Sequence, residues 1–345
     1  MGFLILFTAC ALAAEIHFYT ELKSMQGQSG FYYKENILTR EQAEGFWENA
    51  SDDAKREIRD ITLFGEKNGK VLRNEDLGRD TKVKLVEMAG NMNLITPGRL
   101  AAGAFVTDSD RKGCVISKKT ADTLFGAYEV TGEQVSMGKD SYIIRGIVDT
   151  DGQLCMIQGK AGRQYNCIRV EAPGIPLSVV RQRISGILIE GKGRISECDL
   201  YLGIGRILLY LPLWILLYLA LSWLRRRIPS MLHFILPVAG FSGVCGILLL
   251  CLHFSDDYVP SAWSDFAFWT QLFAEKKEDF LKLLNDSLYY ADSLMLGCMA
   301  GILVMTVILC ALPAGCRVWT IWIKNTSRMS CLDNLDKECR PEEKR

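Results

Sequence analysis

Three long apolar runs, Leu202–Leu224, Met231–Phe254 and Leu294–Cys316, follow a polar stretch that fills over half of the chain. Each has about the 20 residues that a helix needs to cross the hydrocarbon core of a bilayer. Arg206 is the sole charge in the first run. Lipid satisfies no backbone N–H or C=O, so an open segment crosses only as a helix, and the runs predict three spans. The alternative, a buried soluble core, rarely holds three runs of this length. A shorter run, Gly2–Ala14, opens the chain, with Glu15 and His17 directly behind it. It reads as a shortened span, a cleaved signal or a lipoprotein signal ending at Cys10. Phe7-Thr8-Ala9-Cys10 is a poor lipobox, and Ala11-Leu12-Ala13 would pass as a cleavage site. A signal peptide begins with positive charge, however, and none precedes Lys23, so the short span is favoured.

The polar stretch predicts mixed elements. Thr39 and Gln42 have capping-box spacing at the head of a helical pattern, Thr39–Arg59, that carries Phe46 and Trp47. Asp60–Phe64 and Lys82–Met88 alternate as half-buried strands, and the charged Glu66–Asp80 between them reads as a loop or hairpin tip. Ser117 caps a short helix, Lys118–Phe125, that Gly126 ends in the left-handed conformation. Val135–Met137 and Tyr142–Val148 read as strands about a tight turn at Gly138-Lys139-Asp140. Nearer the C-terminus, Phe266–Tyr290 is amphipathic, with Phe273, Phe280, Leu281 and Leu284 against Lys and Glu. It predicts a helix lying on the membrane or on the outer domain.

Charge orients the spans. Net charge is zero, and nothing suggests nucleic acid, acidic substrates or a polybasic membrane patch. Arg225-Arg226-Arg227 joins the first two C-terminal runs, and the tail opens with Arg317, Lys324 and Arg328, with no acid among them. The loop Ser255–Asp292 has three lysines against eight acids. Cytoplasmic flanks collect Lys and Arg, which places the arginine loop and the tail inside and the polar domain outside. The expected layout is a short N-terminal span (1–19), an extracytoplasmic domain (20–200), three transmembrane helices with an outer loop at 255–292 (201–316), and a cytoplasmic tail (317–345).

Candidate chemistry is sparse. Of the twelve cysteines, Cys10, Cys245, Cys251, Cys298, Cys310 and Cys316 lie in or beside apolar runs, and Cys331 and Cys339 in the tail. Cys114, Cys155, Cys167 and Cys198 remain in the polar domain, and no CxxC pair has zinc spacing. Cys155 and Cys167 flank the Gln158–Gln164 turn, either as a disulfide across a hairpin or as two free thiols. Gly65–Lys70 lacks the spacing and hydroxyl of a phosphate-binding loop. Ser136-Met137-Gly138-Lys139 matches SxxK but falls in the expected hairpin, without SDN or KTG. Asp108 and Asp110 have the spacing to bind a cation, with a structural role in a turn favoured. His17, His233 and His253 sit near the expected membrane boundaries. Gly240, Gly243 and Gly246, and the pair Gly297 and Gly301, permit close helix approach, within this chain or to a partner span. Pro212 and Pro237 predict kinks. No catalytic, cofactor-binding or metal residues are assigned, and the chain is not read as an enzyme.

One region is more specific. Pro97-Gly98-Arg99-Leu100 with Gly103, Phe105, Asp108 and Asp110 leads to Val115-Ile116-Ser117. Ala121, Leu124-Phe125-Gly126, Gly132 and Tyr142–Val148 then follow in order. Together these resemble the periplasmic core domain of MacB-like ABC-transporter permeases. The resemblance implies an α+β extracytoplasmic domain joined to an α-helical, FtsX-like membrane domain. It also implies a multi-pass cell-membrane permease working with a cytoplasmic ABC ATPase in trans, with a second permease chain as a further partner. Members carry a cytoplasmic docking helix between the second and third spans, where this chain has only Arg225–Ser230. That departure supports an alternative reading, a membrane-anchored binding or sensory protein without ATP coupling.

Overall fold

The computed structural model describes residues 2–150, 152–189, 193–225, 256–258, 264–285 and 288–312, with isolated residues at 238 and 242. The expected span Met231–Phe254, its glycines and Pro237, His233 and His253, most of the Arg225–Ser230 loop and the tail lie outside them. Two compact units result: Thr20–Ile204 with His253–Met299, and Met1–Tyr19 with Gly205–Leu252 and Ala300–Arg345.

The larger unit has strands β1 (Gln28–Tyr32), β2 (Leu38–Thr39), β3 (Asp60–Asn74), β4 (Arg79–Ala89), β5 (Leu100–Gly103) and β6 (Gly113–Ser117). They are followed by β7 (Gln134–Met137), β8 (Asp140–Val148), β9 (Leu154–Gln158), β10 (Gln164–Tyr165), β11 (Cys167–Glu171) and β12 (Arg194–Glu197). One ten-stranded sheet runs β12-β1-β11-β3-β4-β9-β6-β8-β5, with β7 against β3 and β8, while β2 and β10 pair separately. The ladders β4/β9 and β6/β8 are parallel. The described helices are α1 (Gly2–Lys23), α2 (Arg40–Asn49), α3 (Asp52–Glu57), α4 (Lys118–Phe125), α5 (Leu177–Arg183) and α6 (Cys198–Arg225). Two more follow, α7 (Phe266–Asn285) and α8 (Tyr290–Leu312). The unit is thus an α+β domain, as the resemblance implies.

Side-chain alternation builds its cores. In β9, Cys155 and Ile157 join Leu72, Leu85 and Ile116 in one core, while Leu154 and Met156 join Phe64, Met88 and Val115 in another. Covering both faces requires an unbroken apolar run, and β9 supplies one. A third core gathers Phe31, Leu63, Ile168 and Val170 with Val180 of α5.

Local signals hold where they depend on near neighbours. Ser117 Oγ accepts from Thr120 N–H at 3.2 Å and Gly126 has φ +73°, so α4 begins and ends as expected. Gly138, at φ +66°, turns β7 into β8. Ser136 is therefore on a strand facing Ser141, and SxxK does not form a helical turn. Gln42 Oε1 accepts from Thr39 N–H at 2.8 Å, opening α2. The helical pattern to Arg59 is interrupted, however. Ala50 is extended, and Ser51 caps a second helix by accepting from Ala54 N–H at 3.2 Å. A serine followed by two acids is a helix start, and here it overrides the longer periodicity.

Two open readings are resolved. Glu66–Asp80 is a hairpin rather than a loop: β3 and β4 continue through it, and only residues 75–78 turn. The arm has one covered face, where Leu72 is buried, so its other positions are free to be charged. Cys155 and Cys167 are both free and buried. Their strands lie three places apart in the sheet, with β4 and β3 between them, so the Gln158–Gln164 turn does not make them hairpin partners. Cys155 instead neighbours Cys114 diagonally across β6 and β9.

Among the described residues, two helices are long and apolar enough to cross a membrane, Cys198–Ile215 and Tyr290–Leu312. Pro212 lies within α6, which continues past it. Leu303, Val304 and Val307 are more than half exposed, an apolar surface that suits lipid. α1 runs unbroken through Glu15 and His17. Glu15 is enclosed, and Thr306 Oγ1 donates to its Oε1 at 2.6 Å. Gly301 admits Phe18: a Cβ there would come within 2.7 Å of the ring. That glycine serves packing within the chain, whereas Gly297 has nothing within 4 Å.

Candidate functional site

The edge strand β12 and its neighbour β1 join directly to helices. β12 ends at Glu197 and α6 begins at Cys198, with no residue between them. α1 turns into β1 through residues 24–27, and β1 pairs antiparallel with β12, Tyr32 opposite Arg194 and Ser29 opposite Glu197. Gly27 makes that turn possible. Its φ is +75°, and a Cβ would meet Pro173 Cα at 2.5 Å, so only glycine fits. Its N–H donates to Asp199 Oδ1 at 2.9 Å, tying the turn to the first turn of α6.

The start of α8 is held at the same place. Asp292 accepts from Tyr32 Oη at 2.7 Å and forms an ion pair with Arg194. The side chains of Arg194 and Asp292 are 4% and 1% exposed. The guanidinium also lies over the Tyr32 ring, 4.3 Å from its centroid, so one carboxylate and one aromatic face together compensate a buried cation. Burial, and then the Asp292 charge, push the Tyr32 phenol well above its ordinary value, so it stays a donor. Arg169, also enclosed, donates to Gln28 Oε1 at 2.9 Å and to Cys198 Sγ at 3.3 Å, linking β11, β1 and α6.

Around this centre lies an aromatic and acidic rim. Tyr289 stacks on Tyr32 at 4.8 Å, and its hydroxyl accepts from Asn166 Nδ2 at 2.6 Å. Tyr290 is buried in the core with Phe64 and Met88, and its N–H donates to Glu66 Oε1 at 2.7 Å. Burial raises the Glu66 carboxyl above the usual carboxylate range, partly offset by Lys84 at 3.3 Å. Glu197 in turn accepts from Tyr258 Oη. At the end of α1, Glu21 pairs with Arg99 at 2.9 Å. The first turns of α6 and α8 therefore meet the β12 edge through buried, charge-assisted contacts, and the end of α1 runs into β1 beside it. The arrangement offers no nucleophile beside a base. It can hold these elements in position.

The residues singled out for chemistry lie elsewhere. Asp110 accepts from the N–H groups of Lys112 and Gly113 and pairs with Arg145 at 2.9 Å, while Asp108 pairs with Arg40 at 2.5 Å. Both acids serve the turn and its neighbours. Pattern reading missed Tyr32, Arg194 and Asp292, because nothing local relates them. The available signal was that Arg194 and Asp292 are charges placed just before apolar runs.

Residues 21–189 match the MacB-like periplasmic core domain family. Among solved structures, the chain is similar to the periplasmic region of MacB from Actinobacillus actinomycetemcomitans. The identity is 12% and the TM-score 0.43, over 50% of this chain and 90% of that one. It is also similar to the extracellular domain of the noncanonic ABC-type transporter YknZ from Gram-positive bacteria, at 16% identity and a TM-score of 0.35, over 45% and 88%. No curated protein matches.

Proposed function

We propose, from the match of residues 21–189 to the MacB-like periplasmic core domain family, that the chain is a permease-like transmission element of an ABC-transporter-type membrane component. It works with a cytoplasmic ATPase supplied in trans, crosses the cell membrane several times and carries its large unit outside. The observation that carries the reading is the Arg194–Asp292–Tyr32 cluster. It joins the strand entering α6, the strand leaving α1 and the first turn of α8, so relative movement of these helices strains the outer sheet. Packed cores respond to such strain by switching between arrangements rather than bending smoothly.

A second reading is a membrane-anchored binding or sensory protein that keeps the outer domain without ATP coupling. The six-residue Arg225–Ser230 segment favours it, since six residues make under two helical turns, about 9 Å. The test is purification of the full chain from its native membranes, with and without Ser330–Arg345, followed by assay for a bound ATPase. Recovery with the wild-type chain supports the transmission role, and recovery lost on truncation places the contact in the tail. No ATPase with the wild-type chain overturns it in favour of the second reading.

A further inference from the structure

Helix α7 has three faces. One turns inward at Phe268, Leu272, Lys276, Asp279 and Leu283, of which Leu283 is buried, and the helix packs against β12. On that face the Lys276 ammonium lies 5.3 Å from the centroid of the Tyr258 ring. A second face, with Gln271, Glu275, Glu278 and Lys282, is exposed and polar, and Lys282 pairs with Glu278 at 2.9 Å. The third carries Phe266, Trp269, Phe273 and Phe280, which are 78%, 36%, 74% and 47% exposed. At 1.5 Å per residue this aromatic stripe is about 21 Å long.

We propose that the stripe is a membrane-interface surface, seated in the headgroup region of the outer leaflet. The inference rests on the reading that α8 crosses the bilayer with the larger unit outside, and adds a second, peripheral contact with lipid. Chain length argues for this occupant. Asn285 is five residues from Tyr290, where α8 begins, a reach of at most ~18 Å. At the other end, Phe266 is twelve residues beyond the apolar run that ends at Phe254. Both ends are thus tethered to segments of membrane-spanning length.

Charge argues the same way. The helix holds Glu275, Glu278 and Asp279 against Lys276, Lys277 and Lys282, a balance that gives a charged protein partner little to select. Phenylalanine and tryptophan on one face suit the boundary between headgroups and acyl chains, where apolar area rather than charge supplies the attraction. Lys277 projects from the same side, with a stem long enough to lie along the acyl boundary while its ammonium reaches the headgroups. Thr270, beside the stripe, donates to Phe266 O at 2.8 Å, which removes a hydroxyl donor from the lipid side. Because the inner face of α7 rests on β12, the stripe sets the height of the strand that carries Arg194.

The test uses the full chain reconstituted in phosphatidylcholine liposomes, with a photoreactive benzoylphenylalanine replacing Phe273, Glu275 or Val307 in turn. Lipid adducts are read by mass spectrometry after illumination. The expected result is a lipid adduct at positions 273 and 307 and little at 275, unchanged when phosphatidylglycerol is included. A dimeric adduct of this chain, or a protein adduct alone, at position 273 in native membranes would overturn the inference in favour of a protein partner. Lipid labelling at 307 but not at 273 would overturn it while leaving the membrane reading intact. No labelling at 307 would remove the membrane reading, and the inference with it.

Discussion

Replacing Asp292 by Ala should be among the most damaging single changes to the outer unit. It leaves the Arg194 guanidinium buried without its carboxylate and takes the acceptor from the Tyr32 hydroxyl. Removing one partner of a buried ion pair costs about 3–5 kcal/mol. For a unit of this size each kcal/mol moves the melting temperature by roughly 2–4 °C, so a fall of roughly 6–20 °C is expected. Replacing both charges, as Arg194→Met with Asp292→Asn, keeps an acceptor for Tyr32 and buries no unpaired charge. This double variant should recover much of the loss, because apolar substitutes for buried pairs are often neutral. Scanning calorimetry of the purified full chain, following the transition of the outer unit, measures both. A fall under about 2 °C for Asp292→Ala, or strictly additive effects in the double variant, would refute the idea that the pair acts as one unit.

Three further outcomes are expected. Gly126→Val should cost roughly 1–3 kcal/mol through strain at φ +73°, and Gly126→Asn much less, since asparagine tolerates that region; equal melting temperatures would contradict this. Ser117→Ala removes the acceptor of both Thr120 N–H and Leu154 N–H, each at 3.2 Å, and should cost about 1–3 kcal/mol, more than an exposed cap, as read by chemical denaturation. Glu66 has a raised carboxyl, so the folded state holds its proton more tightly than the unfolded chain. Its contribution is present below the ordinary carboxylate value and is lost as pH rises through the folded value. Glu66→Gln, which keeps an oxygen for Tyr290 N–H, should therefore lose less stability than wild type as pH rises above the ordinary carboxylate value; parallel pH profiles would count against it.

What could be read from the residue pattern, and what could not, divides by sequence distance. Ser117, Gly126 and Gly138 act on neighbours within a few residues, so their types and spacing suffice. The apolar runs are legible because length and lack of charge are one-dimensional properties. β3 and β4 were shortened in the reading because a two-stranded arm with one covered face exposes so many charges that alternation disappears. The helix from Thr39 was lengthened because its apolar periodicity outlasts the cap at Ser51. Arg194, Asp292 and Tyr32 could not be joined at all. Their meeting follows from β1 pairing with β12, and no local rule predicts which strand lies at the edge of a ten-stranded sheet.

The separation of these partners along the chain also imposes an order of assembly. Tyr32 and Asp292 are 260 residues apart, and Arg194 and Asp292 are 98 apart. During synthesis the strands from β1 to β12 emerge long before the carboxylate that Arg194 requires. Until then the Arg194 guanidinium lacks its acid, and the cost of burying it without one favours an open edge. Helix α8 thus closes the outer unit last: the β12 edge is complete only once Asp292 has been made.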